Sequence, residues 1–249
     1  MASSDTAKIV LVAATDRHHN GVSVELSIRD IFRTKKSWRI LAVRGSRHFT
    51  PALLHDADLL IVAQGPGPDP LDLHADPSGL AESVRPGAAF WTPPNPSAII
   101  ASVRDRGLGF LALHETALCG NEAMYDLLDI RPAVSYSSQP LWVRNFAREH
   151  PVTTGGGKFY IPLDEQCAVI LRSPSTTSLF ETTAIHDKRQ AIGGWCREEG
   201  KGRVVGLLPG HSPEAYETPE YRNILWRAAH WALRRNIPDY PDARNTLYE

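Results

Sequence analysis

Three segments of the chain are almost uninterrupted in apolar character: KIVLVAA at 8–14, WRILAV at 38–43 and DLLIVA at 58–63. A strand with one wet face alternates apolar and polar residues, so continuous runs of this length suit parallel strands covered on both faces. Between the first two lies VSVELSIRDIFRTKK, where Val24, Ile28, Ile31 and Phe32 recur at helical spacing. The pattern predicts a βαβ unit, and the element order selects an α/β fold. NPSAIIASVRDRG then predicts a helix with Asn95 as N-cap, Pro96 in the first turn and Gly107 as its stop. A fourth strand, LGFLAL at 108–113, ends abruptly in His114-Glu115-Thr116 before a short helix over NEAMYDLLD.

The pattern changes twice. Residues 64–94 carry GPGPDP and TPPNP and read as a long surface excursion. From about 139 to 192 the apolar segments become short and alternating, in LWVRNF, KFYIPL, CAVILR and TTAIHD, which predicts a small antiparallel extension. AIGGW, GRVVGLLP and the helix PEYRNILWRAAHWALRR return to α/β character, and the last dozen residues read as a loosely packed tail. Trp226 and Trp231 on that helix suit either core packing or a homodimer face. With no clean break, the chain reads as a single domain over 1–249 with its core at about 8–235.

Composition narrows the partners. A chain of 249 residues that is 42% hydrophobic buries roughly 70–75% of its unfolded surface, enough for a sizeable core. Lys and Arg total 27 against 28 Asp and Glu, so the basic excess of a nucleic-acid binder is missing. The longest apolar runs are strand length, short of the ~20 residues of a membrane span. MASSDTAK has no apolar stretch of the signal-peptide kind. The expectation is a cytoplasmic protein with neither a nucleic-acid nor a membrane partner. Cys119, Cys167 and Cys196 are odd in number and lack CxxC spacing, which reads as free thiols.

Candidate chemistry gathers in four polar clusters: His18-His19, His114-Glu115, Asp164-Glu165, and His211 with Glu214. The first, second and fourth each follow an apolar strand. Parallel strands deliver their next residues to one rim, so these imidazoles can converge despite wide sequence separation. Such groups suit proton transfer near neutral pH, or a divalent metal held by His19, His114 and His211. On this reading His114, Glu115, His211 and Glu214 are catalytic, with Glu115 or Glu214 orienting the histidines. His18, His19, Asp164, Glu165 and Trp195 contact substrate. Each histidine also has the plainer reading of an ordinary hydrogen-bonded residue, and Asp164-Glu165 that of a turn or helix cap. Trp195 suits stacking on a sugar ring or core packing equally. GxGxxG and GxSxG are both absent, and GGGK at 155–158 lacks the rest of a phosphate loop and reads as a turn. Cys119 comes five residues after His114, so the tight turn that would carry a nucleophile holds His114-Glu115 instead, and Cys119 reads as an incidental cysteine.

With these residues placed, the order of motifs from Lys8 to Arg235 resembles the trehalose-utilisation (ThuA-like) family. GLGFLALHET at 107–116 is similar to its glycine-rich strand ending in Leu-His, and HPVTTGGGKFYIPLDEQ at 150–166 resembles its His-Pro-Ile-Thr and Asp-Glu segment. GKGRVVGLLPGHSPEAY at 200–216 and PEYRNILWRAAHWAL are similar to its Gly-Lys-Gly-Arg-Val strand with following Gly-His, and to its closing helix. The family's aromatic after the Asp-Glu pair is replaced by Cys167, two residues on. The resemblance implies a flavodoxin-like, class I glutamine-amidotransferase-like fold that has lost the amidotransferase cysteine. It also implies a strand-end pocket built from these His and acidic residues, and a carbohydrate-type ligand. Three functions are compatible with it: an acid–base enzyme on a sugar or keto-sugar derivative, a non-catalytic carbohydrate-binding or assembly protein, and a metal-dependent hydrolase.

Overall fold

A computed structural model describes residues 6–13, 20–44, 48–63, 96–118, 121–131, 134–145 and 147–241. Among these residues nine strands form one sheet in the order β2-β1-β3-β4-β9-β8-β7-β5-β6. β1 (Ala7–Val12), β2 (Trp38–Val43), β3 (Leu59–Val62), β4 (Gly109–Leu113) and β9 (Gly202–Leu207) run parallel. The remaining four, β5 (Val134–Asn145), β6 (Phe159–Ala168), β7 (Thr177–Ala184) and β8 (Gln190–Glu199), are antiparallel. The antiparallel part is therefore larger than the small extension expected, and AIGGW belongs to it through β8. KFYIPL and the start of CAVILR form the single strand β6.

The apolar runs are continuous because their two faces feed two cores. Ile9 and Leu11 of β1 pack with α1 (Gly21–Phe32) and α6 (Pro219–Ala232), while Val10 and Val12 pack with α2 (Ala52–His55), α3 (Pro96–Ala101) and α4 (Glu122–Leu128). Trp226 and Trp231 are buried in the first core, so neither supplies a dimer face. Asn121 caps α4 by accepting from Met124 N at 3.1 Å. Gly107 ends the segment that follows α3 with φ 85°, where a side chain would be strained. Asn95 lies outside the described residues. Part of the expected tail is anchored: Trp226 Nε1 donates to Pro238 O at 3.0 Å, and Arg222 Nε to Tyr240 Oη at 3.0 Å. No helix among the described residues is long and apolar enough to cross a membrane.

The antiparallel half reaches the carboxyl rim of the parallel half, because β6 packs against β8 and against α5 (Pro213–Glu217), the helix after β9. Two adjacent exposed residues, Pro162 and Leu163, form a bulge, since β6 advances from Ile161 to Asp164 while β5 moves only from Leu141 to Gln139. One extra residue reverses which side chains face which side. Ile161 therefore points into the first core, and Cys167 into the second.

Candidate functional site

β4 ends at Leu113, and the chain turns sharply at His114, whose φ of 47° is the left-handed region a non-glycine residue rarely occupies. Strain of this kind persists only where surrounding contacts impose it. Two are visible. Thr116 Oγ1 donates to Val62 O at 2.8 Å, fastening the turn to the end of β3, and His114 Nδ1 lies 2.9 Å from Leu208 O, just beyond β9. A carbonyl oxygen only accepts, so Nδ1 carries the proton and Nε2 is the ring atom directed at the rest of the site.

Around that atom stand two further groups. His114 Nε2 is 3.2 Å from His211 Nδ1, and Glu165 Oε2 is 3.3 Å from each of these nitrogens. Glu165 Oε2 is buried between the two rings, equidistant from both nitrogens. His114 is only 4% exposed, whereas the side chains of Glu165 and His211 are 17% and 21% exposed. The triangle therefore opens on its His211 and Glu165 side. Cys167 is buried below it, with Sγ 3.9 Å from His114 Nδ1. One ligand atom from each of His114, Glu165 and Cys167 falls within 4.8 Å of the others. The sulfur, however, approaches the ring from the nitrogen already given to Leu208 O.

Asp164 is fully buried and builds the loop that carries His211. Its carboxylate accepts from the backbone N–H groups of Gly210 (2.8 Å), His211 (2.9 Å), Ser212 (3.1 Å) and Glu165 (3.0 Å). Gly210 has φ 133°, and a Cβ there would lie 2.6 Å from Tyr216 Oη, so only glycine fits. The charge state follows from the packing. Burial opposes ionisation of Glu165, but His114 and His211 outweigh it and hold the carboxyl far below the usual carboxylate range. Burial likewise opposes a charged His114, yet Cys167, Glu165 and Asp164 drive its affinity for a proton well up. Burial raises the Asp164 carboxyl, with His114 and the backbone N–H donors acting against that rise.

Several expected roles change. Glu165, expected only as a substrate contact, is the third corner of the triangle. Asp164 holds backbone and not substrate, and the pair lies inside a strand, neither turn nor cap. Glu214 sits in the first turn of α5. Among the described residues its side chain makes no hydrogen bond or ion pair, so it does not orient the histidines. Trp195 is 0% exposed, donates from Nε1 to Leu128 O at 2.9 Å and lies across Gly206, where a Cβ would be 2.2 Å from its ring. It is a core residue and no sugar platform. Pleat alternation on β8 turns it to the α4 side. His18, His19, Cys119 and the side chain of Glu115 lie outside the described residues, and with His19 goes the expected His19–His114–His211 metal set as a whole. Cys167 and the Leu208 carbonyl were not anticipated as neighbours of His114. A period-two reading of 165 and 167 would have paired Glu165 with Cys167, but nothing in sequence announces the bulge before them.

Two cavities among the described residues, of about 140 and 450 Å³, open instead at the amino ends of the parallel strands. They share Asp58 and Arg235 and carry no proton-transfer set, so convergence of groups locates the site better than concavity does.

Comparison with known proteins agrees with this architecture. The family model described as trehalose utilisation (ThuA) matches residues 8–232. No curated protein matches the chain. A ThuA-like protein from Parabacteroides merdae superposes with TM-score 0.71 at 12% identity, covering 95% of this chain and 94% of that one. One from Bacteroides uniformis gives 0.66 at 12% identity, with 93% of each covered. A glutamine amidotransferase from Thermotoga maritima gives 0.55 at 13% identity, covering 91% and 98%. At these identities the likeness concerns the fold, a class I glutamine-amidotransferase-like α/β sheet.

Proposed function

Since this chain belongs to the trehalose-utilisation (ThuA) family, we propose that it is a cytoplasmic enzyme of carbohydrate catabolism that moves a proton on a sugar or keto-sugar derivative at the His114–Glu165–His211 triangle. One observation carries the proposal: the strained His114, a partly exposed imidazole and a carboxylate from three distant parts of the chain meet within 3.3 Å. A carbonyl on a sugar ring acidifies the neighbouring C–H, and its abstraction needs a base effective near neutral pH and no covalent nucleophile. That agrees with a tight turn after β4 occupied by histidine. The open His211 and Glu165 side is where such a substrate approaches, with His114 as the buried anchor.

A binding-only protein is the weaker reading, because the aromatic platform it relied on, Trp195, is in the core. Solvent exchange tests the proposal. Incubated with a panel of keto-sugars in D₂O, the protein should introduce deuterium beside the carbonyl of at least one, followed by NMR. His211→Ala and Glu165→Gln should slow this by ~10²-fold or more. Exchange at the wild-type rate in both variants would remove the triangle from the chemistry.

A further inference from the structure

We propose that His114 Nε2, His211 Nδ1 and Glu165 Oε2 are the three protein ligands of an open divalent-cation site of the zinc type. The inference rests on the triangle being the reaction centre and says what that centre holds: with the three ligand atoms engaged, the base of that centre would be a water in the cation's open position.

The first argument is metric. Tetrahedral zinc binds imidazole nitrogen and carboxylate oxygen at about 2.0–2.2 Å, which places neighbouring ligand atoms about 3.3–3.5 Å apart. The three edges observed are 3.2, 3.3 and 3.3 Å. The three atoms also face one another as a set, with the carboxylate oxygen buried and equidistant from the two ring nitrogens.

The second argument is the surrounding shell. A ligating histidine characteristically gives its other ring N–H to a carbonyl or carboxylate, which fixes the tautomer and aims the lone pair. His114 does this through Nδ1 and Leu208 O. The second histidine is held through its own backbone N–H and those of Gly210 and Ser212, all donating to Asp164. Charge closes as well: a dication is balanced by the Glu165 and Asp164 carboxylates. Three ligands with one side partly exposed is the pattern of a catalytic site, in which the fourth position is left for water or substrate oxygen. Cys167 stays outside the set, since its sulfur approaches Nδ1.

The test uses the full chain, stripped with chelator and titrated calorimetrically with Zn²⁺, and with Co²⁺ as a visible-absorption probe of coordination geometry. One equivalent should bind, with the intense absorption of tetrahedral Co²⁺. His114→Ala, His211→Ala and Glu165→Gln should each weaken binding by more than ~100-fold, exceeding the ~10–100-fold typical of an outer-shell partner such as Asp164. Cys167→Ser should stay within about threefold of wild type. Circular dichroism identifies any variant that has simply failed to fold. No stoichiometric uptake by wild type, uptake untouched by all three ligand variants, or equal loss in Cys167→Ser would each overturn the inference. None of these readouts involves a sugar. A chain that binds no cation yet loses proton exchange in His211→Ala keeps its proposed function and loses only this site. A chain that binds zinc but exchanges no proton does the reverse.

Discussion

At the scale of single residues, Asp164 decides more than its position in the middle of a strand suggests. Four backbone N–H groups point at one carboxylate, and a hydrogen bond to a charged group contributes about 1.5–3 kcal/mol net. Asn in its place sets an NH₂ donor against some of those donors, and buried unsatisfied groups are costly. Asp164→Asn should therefore lower unfolding stability by about 1–3 kcal/mol in urea titrations and weaken cation uptake by ~10–100-fold. Unchanged behaviour in both measurements would mean that the His211 loop holds its shape without this residue. His114, Glu165 and His211 were visible as candidates from their polar character after or between apolar strands. Their partnership was not, because the distances that define it cross 46 to 97 positions of sequence.

At the scale of elements, the helices show how local sequence and tertiary contact share the work. α1 forms where apolar residues recur at helical spacing, yet it also buries Glu25, which the periodicity alone does not explain. Glu25 accepts from Arg29 Nε on the next turn and from Arg44 Nε beyond β2, both at 2.9 Å, tying helix to strand. Burial opposes the charge, but Arg44 and Arg29 prevail and lower the carboxyl from its ordinary value of 4.5. A depressed carboxyl stabilises fully above its unfolded value, and the contribution is lost as pH falls through the folded one. Both arginines are more than one-third exposed, so screening limits each pair to about 0.2–1 kcal/mol. Glu25→Gln should thus be slightly less stable than wild type at pH 7, with the gap closing below pH ~4 and in high salt. Urea midpoints across pH measure this, and a gap independent of pH would assign the loss to packing. β6 makes the complementary point: alternation puts Glu165 and Cys167 on one face, and the bulge before them decides which face that is.

At the scale of the whole molecule, the site exists only when both halves of the sheet are assembled. His114 follows β4, His211 lies between β9 and α5, and Glu165 comes from the far antiparallel strand. Loss of cation binding in urea should therefore coincide with loss of helix and sheet signal in one transition. Tyr240→Ala tests the coupling from a distance. It removes an edge-on ring contact to Trp226 at 5.6 Å and the acceptor of Arg222 Nε, on the side of α6. Both transitions should move together to lower urea, by about 1–3 kcal/mol in stability for a partly buried aromatic. Binding lost well before the fold would show instead that the antiparallel half opens independently.

The chain's own pattern of residues determined the α/β class, the parallel strands, the helix stops and the rim on which chemistry would gather. These follow from local causes: two-sided burial demands continuous apolar runs, and glycine or asparagine marks the helix ends. It also singled out His114, Asp164, Glu165 and His211. Only the tertiary structure decided their roles, and it took Trp195 and Glu214 off the list. Trp195 has the composition of a sugar-binding residue but lies on the face that packs against α4, and Glu214 is near His211 in sequence without reaching it. Glu165 became the third corner because one extra residue at Pro162–Leu163 sets which side of β6 it faces, and β6 packs against β8 and α5. Long-range register and strand parity are set by pairing across the sheet, and no short window of sequence contains that information.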